Sequence, residues 1–206
     1  MAIQTTRIHL IRHGEVHNPR KVLYGRLPRF RLTTNGRCQA QAAGRVLSNQ
    51  RIDALYSSPL LRARQTAREI LSSINQSTLH ISSLLNEVCT AYEGQPGAQI
   101  DARDGDIYTG AAACFEQPQD VVARTRRFIW RMRRRYTGGC VAAVTHGDVI
   151  TFMVLWAKGL APTPKNKTGL LKAGYPVSYP SHASISTLTY LTDASEERPE
   201  IDFVSP

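Results

Sequence analysis

The chain has 206 residues, 42% hydrophobic and 20% charged, which gives enough apolar material for a sizeable core and argues against wholesale disorder. Its formal net charge of +10 favours anionic partners but does not choose among nucleic acid, an acidic membrane surface and a phosphorylated metabolite. No stretch is long and apolar enough to span a bilayer, since the greasiest run, Val149 to Ala157, stops at Lys158 and Gly159, and Met1 to Arg12 lacks the parts of a secretory signal.

In chain order, Arg7 to Arg12 reads as a short strand ending at a glycine. Pro19 to Arg31 has no period and holds Pro19, Gly25 and Pro28, the marks of a loop. A helix is predicted from Thr34 to Leu47, capped by Thr33 or Thr34. Ala54 to Ser57 is a second strand. Pro59 is expected in the first turn of the next helix, which would run to Ile74. Leu79 to Leu85 is a third strand, and Gln95 to Gln117 gives no assignment.

The helical period returns from Gln119 to Tyr136, where Val121, Thr125, Phe128, Ile129, Met132 and Tyr136 share one face. Arg124, Arg127, Arg131 and Arg134 interleave with that stripe and read as the solvated face of an outer helix, not a nucleic-acid patch. Cys140 to Thr145 is an apolar strand, followed by a helix from Asp148 to Lys158. Leu160 to Pro180 is a loop with four prolines, Ala183 to Leu191 a last strand, and the tail after Thr192 is polar. Strands alternating with helices predict an α/β fold, its sheet covered on both faces, in one domain spanning 1–206.

Two strands end in His-Gly: LIRHGE, Leu10 to Glu15, and VTHGD, Val144 to Asp148. Ligands of α/β sheets collect at the carboxyl ends of strands, so Arg12, His13 and His146 fall where a site belongs. Between them SSPLLRARQTA, Ser57 to Ala67, places Arg62 in the first turns of a helix, whose free N–H groups favour an anion. Such a set suits phosphoryl transfer. A neutral imidazole attacks phosphorus, guanidinium forks hold the equatorial oxygens, and a carboxylic acid protonates the leaving alkoxide. There is no dense carboxylate cluster for Mg²⁺. Cys38, Cys89, Cys114 and Cys140 show no metal-ligand rhythm and suit reduced thiols in a cytoplasmic protein.

These three motifs, with LTTNGRCQA (Leu32 to Ala40) and SHASISTLTY (Ser181 to Tyr190), resemble the histidine phosphatase superfamily, phosphoglycerate mutase-like branch. The resemblance covers nearly the whole chain in family order. It implies a three-layer α/β/α sandwich around a mostly parallel sheet. It also implies a phosphohistidine at His13, with Arg12, Arg62 and His146 holding the phosphoryl oxygens. Glu87, in LLNEVCTAYEG, matches the family's proton donor; Glu93 is the runner-up and Asp148 the third candidate. Asn18 and Arg26 are candidate substrate or phosphate contacts, His182 a neighbour of the pocket and His17 a loop residue.

The expected activity is hydrolysis of phosphate monoesters of small metabolites. The alternatives are mutase-type transfer, for which the Glu87 to His146 stretch looks short, and a catalytically silent basic binding module. No cofactor, metal, nucleic acid or membrane is expected as a partner, and a homodimer is admitted.

Overall fold

In a computed structural model describing residues 5–206, six strands form one sheet in the order β3-β2-β4-β1-β5-β6. They are β1 (Thr6–Arg12), β2 (Ala54–Ser57), β3 (Leu79–Ile81), β4 (Cys140–Thr145), β5 (Ile185–Tyr190) and β6 (Glu200–Val204). β1 to β4 run parallel, and β5 and β6 are antiparallel to their neighbours, so the sheet is mixed but mostly parallel. The expected α/β architecture is present.

The helices are α1 (Thr34–Ser48), α2 (Leu61–Leu71), α3 (Gly97–Asp101), α4 (Pro118–Arg135), α5 (Gly147–Ala157) and α6 (Pro164–Lys167). One hydrophobic cluster joins Ile8, Leu10 and Ala143 of the sheet to α4 and α5. Another joins Ile11, Leu55, Ala142 and Val144 to α1 and α2. Alternate residues of each parallel strand thus feed opposite clusters, as a period of two requires. All six residues of β4 are buried, which explains its uninterrupted apolar sequence. Ten of the eleven α5 residues are buried as well, and no described helix is long and apolar enough to cross a membrane.

Several boundaries differ from the sequence reading. Thr33 is the α1 cap, its hydroxyl accepting from the Gly36 N–H. Pro59 lies outside α2, whose cap is Leu60, and α2 ends at Leu71 rather than Ile74. β3 stops at Ile81 and a single 3-10 turn, Ser83–Leu85, follows. The polar tail is a strand: in β6, Ile201 and Phe203 pack against the core while Glu200, Asp202 and Val204 face solvent. Arg124 is the other correction. Its side chain is 11% exposed and turns inward to Glu116 and to the carbonyls of Leu84 and Glu87. Arg127, Arg131 and Arg134 are exposed as expected.

Candidate active site

The register of the parallel strands builds the site. Arg12 of β1 lies opposite Thr145 of β4, and Val144 lies opposite Ser57 of β2. One residue past each strand end come His13, His146 and Ser58, still tied to the ladder: the His13 N–H bonds to Thr145 O at 3.1 Å and the Ser58 N–H to Val144 O at 2.9 Å. His13 and His146 are 1% and 0% exposed, with ring centroids 5.3 Å apart.

The glycine after each histidine is required by what packs on it. A Cβ at Gly14 would overlap the backbone of Gly36 in α1, and one at Gly147 would overlap the Tyr179 hydroxyl. The Gly14 N–H also bonds to Thr66 Oγ1 at 3.0 Å, and that hydroxyl donates to Arg62 O, so α2 is docked on the turn that carries His13.

Hydrogen bonds fix both imidazole tautomers. His13 Nδ1 lies 2.8 Å from the Gly14 carbonyl, which only accepts, so Nδ1 carries the proton and Nε2 keeps its lone pair. His146 Nδ1 accepts from Arg62 Nη2 at 3.2 Å, leaving Nε2–H to donate to Ser58 Oγ at 2.9 Å. The Ser58 hydroxyl passes its own proton to Asn86 Oδ1. Burial, then the charges of Arg62 and Arg12, hold the His13 pKa well below 6.5; burial, then Arg62 and His13, do the same for His146. Both rings are neutral in this state.

Arg62 is 1% exposed, donates from Nη2 to Gly25 O at 2.7 Å, and has its guanidinium carbon 4.7 Å from the centre of the Tyr24 ring. Arg12 donates from Nη1 to Pro180 O at 2.6 Å and lies over the Tyr179 ring. The Nε of each arginine is buried without a protein acceptor. Buried donors seldom stay unpaired, so these two cations suit an anionic ligand.

Glu87 lines the same cavity, of about 190 Å³, as Arg12 and His13. Its Oε1 accepts from the Val88 N–H at 2.9 Å, and its Oε2 stands 4.0 Å from Arg62 Nη2 and 3.7 Å from His146 Nδ1. Burial, followed by repulsion from Asp148, raises its pKa against the pull of Arg62. Asp148 goes the other way. Burial alone would raise it, but the Lys167 ammonium at 2.9 Å and the hydroxyls of Tyr108 and Tyr179 hold its pKa down. The two carboxyls are pushed apart in this way, Glu87 toward the protonated form and Asp148, in the first turn of α5, toward the anion.

The remaining candidates fall outside the reacting centre. Glu93 Oε1 accepts from the Arg26 N–H, and its side chain packs beneath Gly25. Asn18 spends its amide on its own loop, donating to Val22 O at 2.8 Å and accepting from Val22 N–H at 3.2 Å. Arg26 donates from Nε to Glu87 O at 2.7 Å and from Nη2 to Glu116 at 2.8 Å, so it braces the Glu87 backbone. None of the three lines the cavity. His182 does border His13, their ring centroids 6.0 Å apart, and burial lowers the His182 pKa to about 4. His17 is exposed, in the loop after β1.

Sequence reading did not single out Ser58, Tyr24, Lys167, Tyr179 or Glu116. Only Ser58 had a local signal, since it ends a buried strand beside a helix start.

A model of the histidine phosphatase superfamily (branch 1) matches residues 8–185. This chain belongs to that superfamily. An uncharacterised protein of Mycobacterium tuberculosis (strain CDC 1551 / Oshkosh) is 49% identical over 163 residues, 76% of this chain and 80% of that one. A 2,3-bisphosphoglycerate-dependent phosphoglycerate mutase of Bartonella henselae is 28% identical over 203 residues, 89% of this chain and 97% of its own length. Among solved structures, a mycobacterial glucosyl-3-phosphoglycerate phosphatase superposes with a TM-score of 0.75 at 22% identity, covering 97% of each chain. The sheet is that of the superfamily's phosphoglycerate mutase-like branch.

Proposed function

We propose that this chain hydrolyses phosphate monoesters of small molecules through a phosphohistidine at His13. The observation that carries the reading is the pairing in one cavity of a neutral His13, its Nδ1–H held by Gly14, with Glu87, whose carboxyl is biased toward the protonated form. His13 Nε2 attacks phosphorus in line, a P–N bond forms and the ester P–O bond breaks. The departing alkoxide takes the Glu87 proton. In the second half, the Glu87 carboxylate takes a proton from water, the oxygen attacks phosphorus and the P–N bond breaks, releasing inorganic phosphate and restoring His13. Arg12 and Arg62 neutralise charge on the equatorial oxygens, and His146, whose Nδ1 accepts from Arg62, holds that guanidinium in place.

Hydrolysis is favoured over return of the phosphoryl group to a product. The segment between Glu87 and His146 meets the cavity only through Val88, Thr90, Ile100, Gly105 and Ile107, and a mycobacterial glucosyl-3-phosphoglycerate phosphatase superposes along nearly the whole chain. Among the described residues no group of three or more His, Cys, Asp or Glu side chains could hold a metal. All four cysteines are free thiols, which supports a cytoplasmic setting.

The test is a rapid acid-free quench of enzyme mixed with a radiolabelled phosphate ester in EDTA. Alkali-stable, acid-labile label is expected on the wild type and none on His13→Ala, which should also release no phosphate. Turnover by His13→Ala near the wild-type rate, or a strict need for added Mg²⁺ or Zn²⁺, would overturn the mechanism.

A further inference from the structure

We infer that the wall completing the cavity opposite the strand ends is an apolar subsite. It selects phosphate monoesters whose alcohol or phenol is compact, hydrophobic and uncharged, and it rejects those carrying a second anion. The inference takes its setting, a phosphoryl group held by Arg12 and Arg62, from the function proposed above.

Beyond the phosphoryl-binding side chains, the cavity is lined by Val22, Leu23 and Tyr24 of the loop after β1, by Val88, and by Ile100 and Ile107. Val88, Ile100 and Ile107 belong to the main hydrophobic cluster, and Leu23 packs against it. They are therefore held by the core and cannot easily make way for water or a charged group. The cavity of about 190 Å³ is below the roughly 300–1,000 Å³ of sites for drug-sized ligands, which limits the organic part to something near one ring.

The charges at the same wall are already spent. Lys167 is the one lining cation besides Arg12. Its Nζ donates to Asp148 Oδ2 at 2.9 Å and to Gly105 O at 3.0 Å, and it lies 5.7 and 5.8 Å from the ring centres of Tyr108 and Tyr179. Asp148 in turn is held by both tyrosine hydroxyls. The Lys167–Asp148 pair is neutral as a unit and adds no net positive field. A carboxylate or second phosphate placed here would lose its water and meet Glu87 and Asp148 with no free cation opposite, a costly burial. A phenyl or short branched alkyl group would instead exchange water for Val22, Leu23, Ile100 and Ile107, a favourable burial.

Binding of non-hydrolysable phosphonates tests this without relying on turnover. Calorimetry would compare benzylphosphonate, 3-phosphonopropanoate and inorganic phosphate in about 0.3 M salt, where the protein's general positive charge is largely screened. Benzylphosphonate should bind about tenfold or more tightly than 3-phosphonopropanoate, the scale a pocket reaches through apolar fit. Val22→Lys, at a half-buried position where the added ammonium can reach the mouth, should narrow or reverse that ratio. Equal affinities, a preference for 3-phosphonopropanoate in the wild type, or no gain of either phosphonate over inorganic phosphate would overturn the subsite. If the affinity ratio stands while esters of both classes go unhydrolysed, the catalytic reading falls and the subsite remains.

Discussion

The two walls of the cavity are held by different means. One is made at the ends of β1, β2 and β4, where ladder hydrogen bonds continue one residue past the strands and leave His13 and His146 almost wholly buried. The other comes from the connections at residues 18–31, 86–116 and 160–180, which rest on bonds from side chains to distant backbone. Asn18 closes its own loop, Arg26 reaches Glu87 O, and Lys167 reaches Gly105 O. Gly25 and Gly105, both lining the cavity, have φ of +38° and +74°, a region that side-chain-bearing residues rarely adopt. On the proposed function, the reacting atoms sit at the rigid strand ends of a sheet, and the part that would meet the organic portion of a substrate sits on loops that can change without disturbing them. Substitutions at the strand ends should remove turnover for every ester, and substitutions on the loop wall should redistribute it among esters.

Glu87 belongs to the loop wall but is the proposed proton donor, so it is the sharpest test of that division. Glu87→Gln should slow formation of the phosphohistidine from an alkyl phosphate by about a hundred- to ten-thousand-fold, and from p-nitrophenyl phosphate far less, because that leaving group needs no proton. The sign of the pH dependence follows from the shifts. Burial raises the Glu87 pKa, so the acid is lost only as pH rises past that value, giving kcat/KM an alkaline limb above the ordinary carboxylate range. His13 is lowered, so its protonation limits the rate only well below pH 6.5. Glu87→Gln should abolish the alkaline limb, whereas Glu93→Gln and Asp148→Asn should keep it. A leaving-group-dependent loss in Glu93→Gln alone would move the acid to Glu93.

The strand-end half was legible because its signals are local. An apolar strand, a histidine and a glycine are contiguous at both His13 and His146, and Arg62 opens the helix that follows a third strand end. Asn18 and Arg26 lie in the right loop, but what their side chains bond depends on where Glu116 and the Glu87 carbonyl arrive, 90 and 61 residues away from Arg26. Nothing in EVHNPRKVLYGR carries that information. Arg124 illustrates the same limit. Helical spacing placed it among solvated arginines, and half-buried acceptors on Glu116 and Leu84 drew it inward. β6 was missed for a different reason: five residues with charged groups at alternate positions look polar by composition, although Ile201 and Phe203 carry the period of a half-buried edge strand.

A smaller effect is expected at Arg62, where the rigid wall has partly redundant donors. Arg62→Ala should cost about a hundred- to a thousandfold in the phosphorylation step, the scale of removing one preorganised donor. It should also weaken vanadate, which takes up the trigonal-bipyramidal geometry, more than inorganic phosphate. Inhibition constants for the two anions decide the matter: equal weakening would mean that Arg62 only attracts anions and does not recognise the transition state.

The smallest effect is expected behind the acid, at Glu116, and it asks whether the loop wall is tuned or merely tied down. Glu116 accepts from Arg26 Nη2 at 2.8 Å, from Cys89 N–H at 2.9 Å and from Arg124 Nε at 2.8 Å. Both arginines also donate to Glu87 O, at 2.7 and 3.4 Å. The carboxylate of Glu116 therefore aligns the two cations that aim the Glu87 backbone and offsets their charge. Glu116→Gln puts an amide N–H₂ against guanidinium donors and leaves the arginines under-neutralised beside Glu87. The acid should then be misplaced, costing about tenfold in kcat for alkyl phosphates, the lower end of what outer-shell partners contribute, with little change in KM. Arg124 already pulls the Glu87 pKa down, and freed of part of its counter-charge it should pull harder. The alkaline limb of kcat/KM should move to lower pH, with p-nitrophenyl phosphate scarcely affected. A lowered melting temperature with the limb unmoved would show that Glu116 only fastens the loop, and the two arginines would then count as packing rather than as part of the acid's setting.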